Sequence, residues 1–321
     1  MSLIDFINRF PDEDSCKAAF KAFRVKEGVV CRHCGGTAHY WLSTVEQFKC
    51  KACGTRTTLR SGTALENTKL PYRYWFIAIH LVTATKKTFS ALELQRQLGH
   101  KRYEPIWLMM HKIRSVMGKR DGRYQLEESL EIDDAFFKTV SPSETDPITG
   151  NKLAQKCGRG SQQQSAVLVM IESKPVEKPK KHKKSKKCGH LKMIVMDDLT
   201  SKSINQQVSD KVNPESDVTT DGYKSYSKLK EVINIHKSEI VQPHEVNKLL
   251  PWVHTAISNA KRNLLGIHHM IGKEYLQNYL NEYCYKLNRR YFGQNIFDRL
   301  LIAAVSDTWY DKKSTLVYTQ G

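Results

Sequence analysis

Four cysteines near the amino terminus have the spacing of a metal-binding site. Cys31 and Cys34 form one CxxC pair, and Cys50 and Cys53 form a second pair after fifteen intervening residues. Two such pairs are typical of a four-cysteine zinc ribbon, in which each pair directs two thiolates at one ion and the segment between them folds back as a hairpin. Two disulfides or clustered core cysteines are the alternative. Four protein ligands leave no open position on zinc, so we expect a structural metal.

Two carboxylates are candidates for the chemistry itself. Asp133 lies within an apolar stretch predicted to be a strand, where an acid is costly unless it is paired or metal-bound. Asp221 directly follows a second, shorter predicted strand. Carboxylates on neighbouring strands can converge on a divalent cation, and oxygen ligands suit magnesium or manganese together with a substrate phosphate. Taken singly, Asp133 could instead be a salt-bridged acid and Asp221 a helix N-cap.

These acids need a sheet to position them, and the second part of the chain has the pattern of one. Predicted strands, with a helix at 204–212 before the last of them, cover residues 130–137, 166–171, 192–196 and 217–220. Strands followed by helices in this order predict an α/β domain. Two loops interrupt it, and the Lys/Pro-rich tract 174–187 in the second is suited to sequence-independent phosphate contacts.

The first 120 residues predict small helical modules around the ribbon. Short helices are expected at 3–10 and 15–23. After Pro71 come an apolar helix, a short helix from Ser90 to Gly99 and a basic helix at 105–117, which is the outline of a helix-turn-helix. Plain three-helix packing is the alternative. The basic side chains expected to charge the last helix and meet DNA are His111, Lys112, Arg114, Lys119 and Arg120.

The charge balance indicates a polyanionic partner. The 321-residue chain has 51 Lys and Arg against 33 Asp and Glu, a formal net charge of +18. No apolar run approaches the roughly 18 residues of a membrane span, and the start of the chain does not have the pattern of a secretory signal. We therefore expect nucleic acid as the partner, no membrane, and a reducing cytoplasmic compartment.

Several further motifs occur in a fixed order along the chain. They are Phe10-Pro11, the ribbon, the segment Ser90–Gly99, Glu131-Ile132-Asp133-Asp134, Thr220-Asp221-Gly222, Leu276–Leu280 and Asn288-Arg289-Arg290. Together they resemble bacterial insertion-sequence transposases of the zinc-ribbon-bearing DDE subgroup. The resemblance implies a multidomain protein with a helical segment (1–28), a zinc ribbon (29–60), a helix-turn-helix region (69–120) and an α/β, RNase H-like, retroviral-integrase-like catalytic domain (126–310).

The resemblance also implies an activity. Asp133 and Asp221 match the first and second catalytic aspartates of the family, which bind magnesium or manganese. Two such metals activate a nucleophile and stabilise the leaving oxygen in an in-line displacement. The site first frees a 3′-hydroxyl at the element end, and that hydroxyl then attacks target DNA. The expected partner is double-stranded DNA, both element ends and target, bound by a homo-oligomer associated with the bacterial nucleoid.

The third catalytic ligand departs from the acidic pattern. The family motif has Glu or another ligand, followed seven residues later by Lys or Arg on the same helical face. Anchoring on Gly266 and Leu276-Gln277 places His254 at the third position and Lys261 at the basic one. Asn259 is the competing ligand, because some of these transposases use Asn in place of Glu.

Two other functions remain open from the sequence. A non-catalytic DNA-binding protein derived from a transposase would explain the missing third acid, although Asp133 and Asp221 are both present. An RNase H-like nuclease without strand transfer is the second alternative. The N-terminal modules argue against it, because such a nuclease does not need to recognise specific ends.

Overall fold

The chain divides into two structural units. The computed structural model describes residues 1–140, 161, 163–176, 186–239 and 249–310. Among these, residues 1–120 and 289–310 form the first unit, and the described residues between 121 and 288 form the second. No helix in these described ranges is both long enough and apolar enough to cross a membrane.

The helices and strands follow the predicted order. The first unit contains α1 (Leu3–Arg9), α2 (Glu13–Glu27), β1 (His39–Leu42), β2 (Gln47–Cys50), β3 (Arg56–Thr58), α3 (Tyr72–Ala84), α4 (Ala91–Leu98) and most of α5 (Glu104–Asp121). The second contains β4 (Ser129–Lys138), β5 (Gln164–Pro175), β6 (Lys186–Met196), α6 (Ser201–Lys211), β7 (Asp217–Asp221), β8 (Ile235–Glu239), α7 (Pro251–Ile267) and α8 (Leu276–Asn288). Helix α9 (Ile296–Ser306) belongs to the first unit again.

The last helix corrects the predicted end of the catalytic domain. Residues 126–310 were expected to form that domain, whereas the second unit ends at Asn288. Phe297 of α9 packs its ring 5.6 Å from that of Phe10 and 6.0 Å from that of Phe6, so α9 helps to build the aromatic core of the amino-terminal helices. A helical pattern identifies an apolar face but does not identify the element that covers it.

A mixed five-stranded sheet forms the second unit. Its order is β6-β5-β4-β7-β8; β4, β5 and β6 pair antiparallel, while β7 pairs parallel to both β4 and β8. Strand β8 was not predicted, because its sequence Ile-His-Lys-Ser-Glu is polar and lies at an exposed edge. The expected loop 174–187 is shorter than predicted, since β5 and β6 extend into both ends of it. Its central residues 177–185, like most of the other loop, lie outside the described residues.

Helices cover both faces of this sheet. Helix α6 packs on one face through a cluster that includes Leu130, Ile132 and Val218. Helices α7 and α8 pack on the other face through a cluster that includes Ala135 and Phe137. Because side chains alternate along a strand, these clusters fix which residues of β4 and β7 face each layer.

Helix α5 does not present its basic side chains as predicted. His111, Lys112 and Arg114 are buried. Lys112 Nζ donates to the carbonyl of Glu66 at 2.6 Å, and burial lowers the pKa of Lys112 to about 8. Arg114 Nη2 donates to the carbonyl of Phe89 at 2.9 Å. These cations therefore satisfy backbone carbonyls inside the unit, and the helix turns most of its basic face inward.

Candidate active site and zinc site

Strand β4 places Asp133 on the sheet face that α7 and α8 cover. Asp133 is two and four residues from Ala135 and Phe137, so the three side chains face the same side of the sheet. Ala135 and Phe137 belong to the cluster with those helices. Its side chain is only 13 % exposed. Asp133 is thus an acid at the margin of a hydrophobic core, where a partner of opposite charge offsets the cost of desolvation.

The neighbouring strand β7 carries Asp221 to the same face. Glu131 of β4 is opposite Thr219 of β7 in the parallel register. Two residues further along the two strands stand Asp133 and Asp221. Val218 packs in the cluster on the α6 face, so alternation directs Asp221 to the face opposite, which is that of Asp133.

The amino-terminal turn of α7 brings His254 to this pair of acids. His254 Nδ1 lies 3.6 Å from Asp133 Oδ2. The other ring nitrogen, Nε2, is buried and has no hydrogen-bond partner among the described residues. A buried polar atom without a partner is costly, and service as a metal ligand would account for it. The donor set of two carboxylates and an imidazole therefore fits a divalent cation.

Burial favours the neutral form of this histidine. Desolvation lowers the pKa of His254 below its ordinary value, while the negative charges of Glu131 and Asp221 act in the opposite direction. Since desolvation has the larger effect, the imidazole is neutral at neutral pH. The neutral ring is the form that can bind a metal.

The other two sequence candidates lie further along α7. Lys261 is exposed, and its Nζ is 5.6 Å from the centre of the Phe137 ring on the Asp133 face of β4. Two helical turns separate Lys261 from His254, which keeps them on one side of the helix. Asn259 is also exposed and is turned by about 140° around the helix from His254. The structure thus brings His254, and not Asn259, next to Asp133.

One buried acid at the site had no predicted role. Glu131 is fully buried and accepts hydrogen bonds from the first turn of α7. The sequence indicates it through the spacing Glu131-Ile132-Asp133, because two acids that are two residues apart on a strand face the same side of the sheet. On the opposite face, the buried Tyr226 hydroxyl donates to Asp134 Oδ1 at 3.2 Å.

The four ribbon cysteines converge as predicted. Their ligand atoms all lie within 4.8 Å of one another, and in the described part of the chain no other group of three or more possible ligands is so close; the Asp133, Asp221 and His254 side chains are more widely spaced. The two CxxC pairs have the same backbone conformation. The N–H of Gly35 donates to the Cys31 carbonyl and that of Gly54 to the Cys50 carbonyl, and both glycines have positive φ, which favours glycine. Four thiolates at this spacing fit one tetrahedral zinc ion.

We expect about one zinc per chain, lost when Cys50 is replaced by serine. In such modules the free energy of zinc binding is free energy of folding, so Cys50→Ser should also lower the melting temperature of the first unit. Metal analysis of purified protein with thermal unfolding measures both effects. Cys16→Ser is the matched control, because Cys16 is buried outside the cluster and its replacement should leave the zinc in place. Full zinc content in Cys50→Ser would contradict the assignment.

Comparison with known proteins identifies two domains. Residues 125–288 match the model of the ISXO2-like transposase domain, and residues 11–56 match that of the transposase zinc-ribbon domain. A relative among curated proteins is an uncharacterized protein in the transposable element ISH50 of Halobacterium salinarum. It is 22% identical over 295 residues, which cover 89% of this chain and 94% of the relative.

Similar solved structures come from Mos1. The Mos1 mariner paired end complex with Mn shares 11% identity at a TM-score of 0.31, over 75% of this chain and 81% of the Mos1 chain. A pre-cleavage Mos1 transpososome shares 10% identity at a TM-score of 0.28, over 77% and 82% of the two chains.

Proposed function

The chain belongs to the ISXO2-like transposase domain family, and we propose that it is a DNA transposase that binds the ends of its element, cleaves them and transfers the strands. The observation that carries the proposal is the contact of His254 with Asp133, beside the strand that ends in Asp221. In this proposal the second unit is an RNase H-like catalytic domain. The mixed sheet with helices on both faces supports that assignment.

We assign the divalent-metal site to Asp133, Asp221 and His254. Magnesium or manganese bound there would activate the attacking oxygen and stabilise the leaving one. The protein's own residues hold the site in advance: β4 and β7 fix the two carboxylates, and α7 presents a neutral imidazole. Lys261, exposed on the same side of α7, would contact a phosphate of the bound strand.

An assay with a duplex that carries the element end tests the proposal. Full-length protein with magnesium or manganese should release a 3′-hydroxyl end and join it to a second, target duplex. Joined products distinguish a transposase from a nuclease, which would give cleaved strands alone. Binding of the duplex without any cleavage would instead support a DNA-binding protein that has lost its chemistry.

We further propose that the element end binds the loops around α4 and the first turn of α5. Exposed cations lie on α4 and on both sides of it, and they are Lys86, Lys87, Arg96, Lys101 and Arg102. The interior of α5 is buried, whereas Leu108 in its first turns is 40 % exposed. A helix-turn-helix places the start of its last helix in the major groove and lets flanking cations contact phosphates.

Arg102→Ala is expected to weaken binding of the element end and to lower the slope of log affinity against log salt by about one, because one phosphate contact is lost. Fluorescence anisotropy at several salt concentrations measures both quantities. Lys26→Ala is the matched control, since Lys26 is an exposed cation at the end of α2, outside this surface. Equal losses in the two variants would mean that the effect reflects only net charge.

A further inference from the structure

Glu131 is a buried carboxylate whose hydrogen bonds reach across to another element. It is fully buried on the same face of β4 as Asp133, two residues away. Its Oε2 accepts the backbone N–H groups of Trp252 at 2.8 Å and Val253 at 2.9 Å. Its Oε1 accepts the hydroxyl of Ser173 at 2.5 Å. These bonds, together with the ion pair between Oε1 and Lys186 Nζ at 3.8 Å, offset the cost of burying the charge.

The start of α7 needs an acceptor from elsewhere. Its cap residue Leu250 has no side chain that can accept, and Pro251 has no N–H to donate. The first hydrogen bond within the helix runs from the N–H of His254 to the Leu250 carbonyl at 3.3 Å. The N–H groups of Trp252 and Val253 come before it and have no carbonyl inside the helix. Glu131 accepts from both of them and places a negative charge at the positive end of the helix dipole.

The next residue along the helix is His254. We propose that Glu131 is a positioning residue, which fixes the first turn of α7 so that the His254 imidazole stands against Asp133. The inference rests on the proposed function of that pair as metal ligands. Apolar packing of Val253 and Ile257 holds the helix against the sheet. Apolar packing leaves the helix free to slide along its axis, whereas two hydrogen bonds to a side chain of β4 fix its position in that direction.

The chain contains a matched buried acid that does not contact α7. Glu172 of β5 is also buried, and its carboxylate accepts the N–H groups of His190 at 2.9 Å and Glu127 at 3.3 Å. Both acids are buried carboxylates that need hydrogen-bond donors, so any loss of stability from shortening the side chain applies to both. Of these two acids, Glu131 accepts hydrogen bonds from the helix of His254, whereas the hydrogen bonds of Glu172 come from outside that helix.

Manganese binding to the full-length, zinc-loaded protein tests the inference without requiring cleavage. Titration followed by the electron paramagnetic resonance signal of free Mn²⁺ gives the affinity, and Asp133→Asn identifies the fraction bound at this site. Glu131→Asp keeps the charge but shortens the side chain, so it should weaken Mn²⁺ binding by about tenfold or more, as for other residues that orient a metal ligand. Glu131→Gln keeps the length, and its amide oxygen can still accept both N–H groups, so it should bind Mn²⁺ nearly as well as the wild type.

The two substitutions separate positioning from electrostatics, and Glu172→Asp separates it from stability. If charge were what mattered, Glu131→Asp would bind better than Glu131→Gln, which would overturn the inference. An equal loss of Mn²⁺ affinity in Glu172→Asp, or no loss in Glu131→Asp, would also overturn the inference. Either result would leave the proposed function intact as long as the wild type binds Mn²⁺ and cleaves DNA. Absence of Mn²⁺ binding and of cleavage in the wild type would instead reject the proposed function and, with it, this inference.

Discussion

Replacement of Asp221 by asparagine is expected to abolish cleavage and strand transfer while leaving the binding of element ends unchanged. Asparagine keeps the shape of the side chain but removes the negative charge with which the site would hold a divalent cation. We expect the rate of cleavage to fall on the order of a thousandfold or more. End binding should persist, because we assign it to the surface around α4 in the first unit.

Asp217→Asn is the control for this experiment. Asp217 begins the strand that Asp221 ends, and it has the same parity. The same change of charge at the far end of β7 should therefore leave cleavage close to the wild-type rate. Gel assays with labelled element ends measure cleavage, and anisotropy measures binding on the same preparations. If Asp221→Asn cleaved normally, the site would have to lie elsewhere in the protein.

The elements that were predicted correctly have a strong local pattern. The spacing of Cys31, Cys34, Cys50 and Cys53 specified the ribbon because four ligands of one ion constrain one another. The apolar runs specified β4, β5 and β6, since strands buried in a sheet are rich in apolar residues. The edge strand β8 was missed because only one of its five residues is apolar.

Other predictions failed because they depended on partners distant in sequence. Lys112 and Arg114 were expected to meet DNA, but the carbonyls that they bind belong to Glu66 and Phe89, which precede them by 46 and 25 residues. Nothing in the pattern of α5 identifies those partners. Glu131 was overlooked for the same reason, since its partners on α7 follow it by more than 120 residues. A charged residue at a buried position of a helix or strand indicates only that it must have a hydrogen-bond or ion-pair partner, and not which residue that partner is.

His254→Ala is expected to lose most of its cleavage activity, whereas Asn259→Ala should cleave at close to the wild-type rate. The reason is geometric: His254 is 3.6 Å from Asp133, and Asn259 is exposed on another side of α7. Loss of one of three protein ligands should lower metal affinity and cleavage by about a hundredfold. The two variants differ by five positions in one helix, so each serves as the control for the other. Activity in His254→Ala and none in Asn259→Ala would assign the third ligand to Asn259.

The pH dependence of cleavage distinguishes a histidine ligand from a carboxylate. Burial lowers the pKa of His254, and only the neutral imidazole binds metal, so activity should be constant at neutral pH and fall as the pH drops through that lowered pKa. In His254→Glu the third ligand is a carboxylate, and a bound divalent cation favours its charged form against burial and the neighbouring acids, so it stays a competent ligand to lower pH than the imidazole does. The acid-side loss of activity should therefore move to lower pH in this variant, while cleavage at neutral pH is retained. Cleavage rates measured across the acidic range on both proteins test this prediction. Because the two proteins differ only at residue 254, identical pH profiles would show that another group controls the loss of activity at low pH.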